Sequence, residues 1–137
     1  MRVLVTGGAG YIGSTAVDIL LSQGYEFSVL DDCSTGHADS LPTGIDFIQG
    51  SILNSDDVAK ALRGCDAVMH FAGKSLVGES VQQPDQYRKV NVAGTRILLD
   101  EMRKQSITKI VFSSSAATYG EPKVVPILET SETNPTN

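Results

Sequence analysis

The sequence predicts an α/β fold, a doubly wound parallel sheet in a single domain. Three observations carry that prediction. Short β-branched apolar runs alternate with helix-length amphipathic segments, the runs are apolar almost throughout, and a glycine-rich turn joins the first run to the first helix. Strands that are apolar on both faces need helices over both faces, which is the arrangement of a parallel sheet, and its crossovers are expected to be right-handed. A chain of 137 residues is long enough to bury one core. With 41% hydrophobic and 20% charged residues its composition is globular rather than disordered.

The elements follow in order. Val3–Val5, Phe27–Leu30, Phe47–Ile48, Ala67–Phe71 and Ile110–Phe112 are the expected strands. Ile12 to Ser22 has helical spacing, with Ile12, Ala16, Ile19 and Leu20 expected on one inward stripe and Gly24 as the stop. Asn54 is a candidate cap for a helix through Leu62, with Asp56 and Asp57 in its first turn, where the helix dipole favours negative charge. A longer helix is expected from about Tyr87 to Lys104, with Val90, Ala93, Ile97, Leu98 and Met102 inward. Residues 121–137 hold three of the five prolines and no helical period, so they are expected to be irregular. The expected organisation is one α/β domain over residues 1–120 followed by that irregular segment. No repeat or low-complexity stretch interrupts it.

A net charge of −5 leaves no basic face to neutralise phosphates, which argues against a nucleic-acid partner. Cys33 and Cys65 have no second Cys or His at ligand spacing, so reduced thiols are expected rather than a disulfide or a zinc site. The first residues run directly into a strand, and no apolar run approaches a membrane span. A soluble, cytoplasmic protein without a signal peptide is expected.

Gly7, Gly10 and Gly13 form a Gly-x-x-Gly-x-x-Gly turn between the first strand and the first helix. Glycine at those places permits a tight exit from the strand, close approach of a pyrophosphate, and close helix–strand packing. Unpaired amides at the helix start, around Tyr11 and Ile12, then point at the phosphates and bind an anion without net positive charge. Asp31 stands at the tip of the second strand, 18 residues after Gly13. A carboxylate there accepts from the ribose hydroxyls and repels a 2′-phosphate, which favours NAD over NADP unless Arg2 or another cation offsets the repulsion. The alternative is a structural glycine turn with Asp31 solvated. Asp32 either shares the role or faces water.

These blocks, together with Leu30-Asp31-Asp32, Ser34-Thr35-Gly36-His37, His70-Phe71-Ala72-Gly73, Val77-Gly78-Glu79-Ser80, Asn91-Val92-Ala93-Gly94-Thr95 and Ser113-Ser114-Ser115-Ala116-Ala117-Thr118-Tyr119-Gly120, run the length of the chain. Their order and spacing resemble the extended short-chain dehydrogenase/reductase family, and within it the UDP-glucose 4-epimerases. The resemblance implies a Rossmann-type NAD-binding domain without its C-terminal substrate domain. It implies that Phe71, Ala72 and Gly73 pass along the pyrophosphate and ribose, and that Asn91 orders the nicotinamide end, where Ser113 is also expected to reach the cofactor. Lys74 either supplies a cation to phosphate or ribose or is a surface lysine, since the family's lysine stands one place later, where this chain has Ser75. The family usually has an aspartate where this chain has Ser51, and Ser51 and Ile52 are expected to flank adenine. Ser115 is expected to hydrogen-bond the reacting sugar oxygen and assist proton transfer, although serines at a strand tip also serve as turn acceptors.

The implied chemistry is interconversion of UDP-glucose and UDP-galactose through a 4-keto sugar on tightly bound NAD, in a full-length protein expected to be a homodimer. Val90 to Met102 is a candidate dimer surface, its apolar stripe otherwise serving the core. The family's base is a tyrosine in a Tyr-x-x-x-Lys helix, expected just after Asn134-Pro135-Thr136-Asn137. Tyr119 is expected to be structural or to flank the substrate, because Glu121-Pro122 breaks the helix that would align it with Lys123. Two other readings stand beside this one. Another nucleotide-sugar enzyme of the superfamily is one, although a dehydratase would show Thr-Asp-Glu near Ser113–Ala116. A non-catalytic NAD-binding module is the other.

Overall fold

A computed structural model describes residues 1–136. Five strands, β1 (Arg2–Thr6), β2 (Glu26–Asp31), β3 (Asp46–Gln49), β4 (Ala67–His70) and β5 (Lys109–Phe112), form one sheet in the order β3-β2-β1-β4-β5. Every pairing is parallel, with Val3 opposite both Phe27 and Ala67. The helices are α1 (Tyr11–Ser22), α2 (Ser55–Ala61), α3 (Val77–Gln82), α4 (Pro84–Tyr87) and α5 (Thr95–Lys104). The expected strands are all present, each extended by a residue or two except β4, which stops at His70.

Side chains alternate along each strand, so the sheet divides the core in two. Leu4, Leu30, Ile48 and Val68 face α2 and α5, meeting Val58, Leu62, Leu98 and Met102. Val3, Val5, Phe27 and Val29 face α1 and meet Val17. Fully burying a side chain such as Leu4 stabilises by about 1.5–3 kcal/mol, so the two halves together anchor β1 at the centre.

α1 differs from expectation in its inward face. Gly13 and Val17 are buried, whereas Ile12 is 61% and Ile19 57% exposed. The closest approach decides which stripe turns inward. Gly13 lies so near the preceding turn that a Cβ there would stand 2.1 Å from the Gly7 carbonyl oxygen. The inward row therefore runs Gly13, Val17, Leu20. The stop at Gly24 is as expected: its φ is +71°, its amide donates to Leu21 and that of Tyr25 to Leu20, a complete Schellman pair.

The single long helix from Tyr87 is also corrected. The chain turns into α4 at Pro84, winds as a π-helix over Arg88–Gly94, and becomes regular only at Thr95. The wider turn shifts the helical phase, which leaves Ala93 exposed while Leu98 and Met102 stay buried and Val90 and Ile97 pack half-buried against the core. α2 begins as expected, with the Asn54 carboxamide oxygen accepting from the amides of Asp56 and Asp57, and ends at Ala61, one residue short. Residues 121–136 form turns and bends without helix or strand. Asn137, the end of the segment expected to be irregular, lies outside the described residues.

Candidate functional site

The strand order runs outward from β1 in both directions, through β2 to β3 and through β4 to β5. Where connections diverge like this, an open α/β sheet leaves a crevice outside the carboxyl ends of its strands. Here it is a cleft of about 680 Å³. Phe71, Ala72, Gly73, Lys74 and Tyr87 form a wall shared with a second cavity of about 510 Å³, whose far side is made by Ser113, Ser114 and Ser115.

The glycine turn is the floor of the cleft. Gly7 has φ +72°, and a Cβ there would lie 2.5 Å from the Ala72 amide nitrogen, so any other residue would push β1 away from the end of β4. Gly10 begins α1 with no side-chain cap. The first-turn amides, including those of Tyr11, Ile12 and Gly13, have no acceptor within their helix and face an anion favourably. All five of these residues border the cleft.

Asp31 closes the turn from the β2 side. One carboxylate oxygen accepts from the Ala9 amide at 2.9 Å and the other from the Cys33 amide at 2.8 Å. These bonds fix the carboxylate and leave lone pairs on both oxygens for a diol. Asp32 also borders the cleft, its carboxylate accepting from the Ser34 amide. Burial, and then the charges of Asp31 and Asp32, push the Cys33 thiol above its ordinary value, so it is held protonated. Ser51 does not border the cleft, although its neighbours Gly50 and Ile52 do. Its hydroxyl accepts from the Leu53 amide and its own amide donates to Asp57.

Asn91 sits in the middle of the π-helix and clasps the backbone after β4. Its side-chain oxygen accepts from the Lys74 amide at 2.8 Å, and its nitrogen donates to the Lys74 carbonyl at 2.9 Å. Beneath it lies His70, 2% exposed. Thr95 donates its one hydroxyl proton to the Asn91 carbonyl at 2.7 Å, so toward His70 it can only accept. His70 Nε2 therefore carries the ring proton and donates to Thr95 at 3.0 Å, while Nδ1 accepts from the Thr6 hydroxyl at 2.6 Å. Burial lowers the His70 pKa and keeps the ring neutral. One chain of hydrogen bonds thus links the end of β1 to the wall of the cleft.

Ser113 borders both cavities and Ser115 the second. Ser115 accepts from the Ala117 amide as the cap of the short turn Ala116–Tyr119, a bond that leaves its own O–H unused. Tyr119 borders neither cavity, and Gly120, at φ +62°, ends the turn, so Tyr119 and Lys123 do not share a helix. Sequence reasoning assigned no role to Gly36, Glu79 or Tyr87, all of which border the cleft. The signal for Gly36 was its size, since a Cβ would stand 2.7 Å from the Ala9 backbone. Among the described residues, no group of three or more His, Cys, Asp or Glu side chains is placed to hold a metal ion.

This sheet, switch point and glycine cradle define a Rossmann-type α/β protein. The chain belongs to the NAD dependent epimerase/dehydratase family, whose profile matches residues 3–137. It is 46% identical over 137 residues to a UDP-glucose 4-epimerase of Corynebacterium glutamicum, covering 100% of this chain and 42% of that protein. It is 50% identical over 139 residues to a UDP-glucose 4-epimerase of Halalkalibacterium halodurans, covering 100% of this chain and 41% of that one. The crystal structure of UDP-glucose 4-epimerase from Brucella ovis in complex with NAD superposes with a TM-score of 0.94 at 43% identity, over 98% of this chain and 42% of that one. The chain spans less than half the length of each of these relatives.

Proposed function

We propose that residues 1–137 are the NAD-binding part of a UDP-glucose 4-epimerase, an isomerase that interconverts UDP-glucose and UDP-galactose in galactose metabolism. The observation that carries the cofactor is the glycine cradle closed by Asp31, where a Cβ at Gly7 or Gly13 would fill the space the backbone needs. The reading of the reaction is supported by the relatives, which are UDP-glucose 4-epimerases at 46% and 50% identity.

In this reading the backbone of Gly7, Gly10, Tyr11, Ile12 and Gly13 holds the pyrophosphate. Asp31, with Asp32 second, accepts from the adenosine ribose hydroxyls, and its charge disfavours a 2′-phosphate. Ile52 stands at the adenine edge, while the Ser51 hydroxyl is taken up by the Leu53 amide. Phe71, Ala72 and Gly73 line the path of the pyrophosphate and ribose, and Lys74 gives that path a cation. Asn91 and Ser113 order the nicotinamide end. Ser115 offers its unused O–H to the reacting sugar oxygen. When bound, NAD supplies reversible acceptance of a hydride from C4 of the sugar. The nucleotide-sugar site and the main base belong to a part of the protein beyond residues 1–120, with 121–137 leading to them. A cytoplasmic location and a homodimer complete the reading. It is supported by the lack, among the described residues, of any helix long and apolar enough to cross a membrane, and by the exposed Val92 and Leu99 on the face offered to a second copy.

The test is to purify the full-length protein, supply UDP-galactose, and follow UDP-glucose, with the dinucleotide released by denaturation identified by mass spectrometry. Turnover with stoichiometric NAD is expected. Absence of both turnover and bound dinucleotide would sink the proposal.

A further inference from the structure

Lys74 has an unusual setting. Its ammonium lies 3.2 Å from Glu79 Oε2 and 5.4 Å from the centre of the Tyr87 ring. The Tyr87 hydroxyl donates to the same Glu79 oxygen at 2.6 Å. Three side chains from the loop after β4, from α3 and from α4 therefore close on one another. All three border the cleft, and Lys74 and Tyr87 also border the second cavity. Among the described residues that line either cavity, Lys74 is the one lysine or arginine, set against the carboxylates of Asp31, Asp32 and Glu79.

We propose that Glu79 and Tyr87 are positioning residues that seat the Lys74 ammonium at the junction of the two cavities, where it meets the ribose–phosphate of the dinucleotide half nearer the second cavity. The proposal rests on the dinucleotide reading above. A free lysine has four rotatable bonds and would lose that freedom when it met a phosphate oxygen. Here the backbone is already pinned by Asn91, and the side chain is held by an ion pair and an aromatic face, so the freedom is lost on folding instead. One ammonium hydrogen serves Glu79 and two remain for ligand oxygens. The hydrogen bond from Tyr87, then that from Lys74, lowers the Glu79 pKa, so the seat stays charged through the neutral range. Glu79 without Lys74 would be a repulsive wall to a phosphate; with Lys74 the pair is neutral and polar.

The test is calorimetric titration of the purified protein with NAD+ and separately with AMP, which lacks the nicotinamide half and its phosphate. Wild type is compared with Glu79→Gln, Lys74→Gln, the double variant and Tyr87→Phe. Glu79→Gln is expected to weaken NAD+ binding about three- to fivefold, the worth of an exposed ion pair, with AMP unchanged. In the Lys74→Gln background the same change is expected to have no effect, because Glu79 acts through Lys74. Tyr87→Phe keeps the ring and loses the hydroxyl, so a smaller weakening is expected, with an unchanged melting temperature showing that the fold survives. Tighter NAD+ binding by Glu79→Gln would show a mere repulsive charge. An equal loss in both backgrounds, or a parallel loss for AMP, would show a general structural role. Either result, or no change, overturns the seat while leaving NAD+ binding by wild type intact. Wild type that bound neither ligand would instead overturn the dinucleotide reading on which the seat rests.

Discussion

His70 is held between two hydroxyls at 2% exposure, and the neutral ring satisfies both of its nitrogens. Protonation would place a charge on a ring that burial keeps from water. In the unfolded chain the ring titrates near its ordinary 6.5, whereas burial lowers the pKa in the folded protein. As pH falls below 6.5 the unfolded chain takes up the proton first, so stability is full above 6.5 and is lost from there down through the lowered folded value. The melting temperature is therefore expected to drop between pH 7.5 and 5, and to drop less in His70→Gln, which cannot titrate. Equal slopes for the two proteins would show that the ring is not the group responsible. At this scale the sequence was uneven as a guide. Asp31 was legible because its place beside the glycine turn follows from a short spacing after that turn. The Lys74 seat was not, because Glu79 and Tyr87 reach it only through two short helices whose relative angle no local pattern encodes.

Elements were legible where one local interaction sets their limits. The Asn54 cap and the Gly24 stop are decided by a side chain or a φ within one turn, and both are found as expected. The inward face of α1 was misread because apolar spacing alone cannot tell which stripe comes closest; the contact is made by Gly13, which has no hydrophobic signal. The π-helix was hidden for a related reason, since the sequence of Arg88–Gly94 still looks helical and only its partners, Lys74 against Asn91 and Ile52 against Gly94, hold the wider turn. Two substitutions separate the two kinds of element feature. Asn54→Ala is expected to lower stability by about 1 kcal/mol with dinucleotide binding unchanged, because the cap lies away from the cleft. Gly13→Ala is expected to abolish dinucleotide binding, because the new methyl would stand 2.1 Å from the Gly7 oxygen and force the phosphate turn open. Denaturant unfolding and calorimetry together check both. A Gly13→Ala protein that bound NAD+ normally would show that the turn is not the phosphate site.

At the scale of the whole molecule, the features that the NAD reading uses share one end of the sheet, while Ser115 and Tyr119 do not by themselves supply the proton chemistry of an epimerase. The cradle, Asp31 and the wall after β4 all border one cleft, and each is built by contacts internal to residues 1–136. Ser115 offers a hydroxyl, but its unperturbed basicity is far too low to take a sugar proton unaided. Tyr119 borders neither cavity, and the break at Gly120 keeps Lys123 off its helix. A positioned general base contributes roughly 10²- to 10⁴-fold to such a step, and a sugar site adds the positioning that makes it effective. Residues 1–137 expressed alone are therefore expected to bind NAD+ measurably and to show no detectable conversion of UDP-galactose. The same β5 that closes the sheet leaves Val111 58% exposed on the α1 side, so this polypeptide is also expected to bind a hydrophobic dye more strongly than a full-length protein that covers that face. Turnover by residues 1–137 would mean that a base within this chain had been overlooked. Failure to bind NAD+ by a folded preparation would mean that the cleft takes its shape from the rest of the protein.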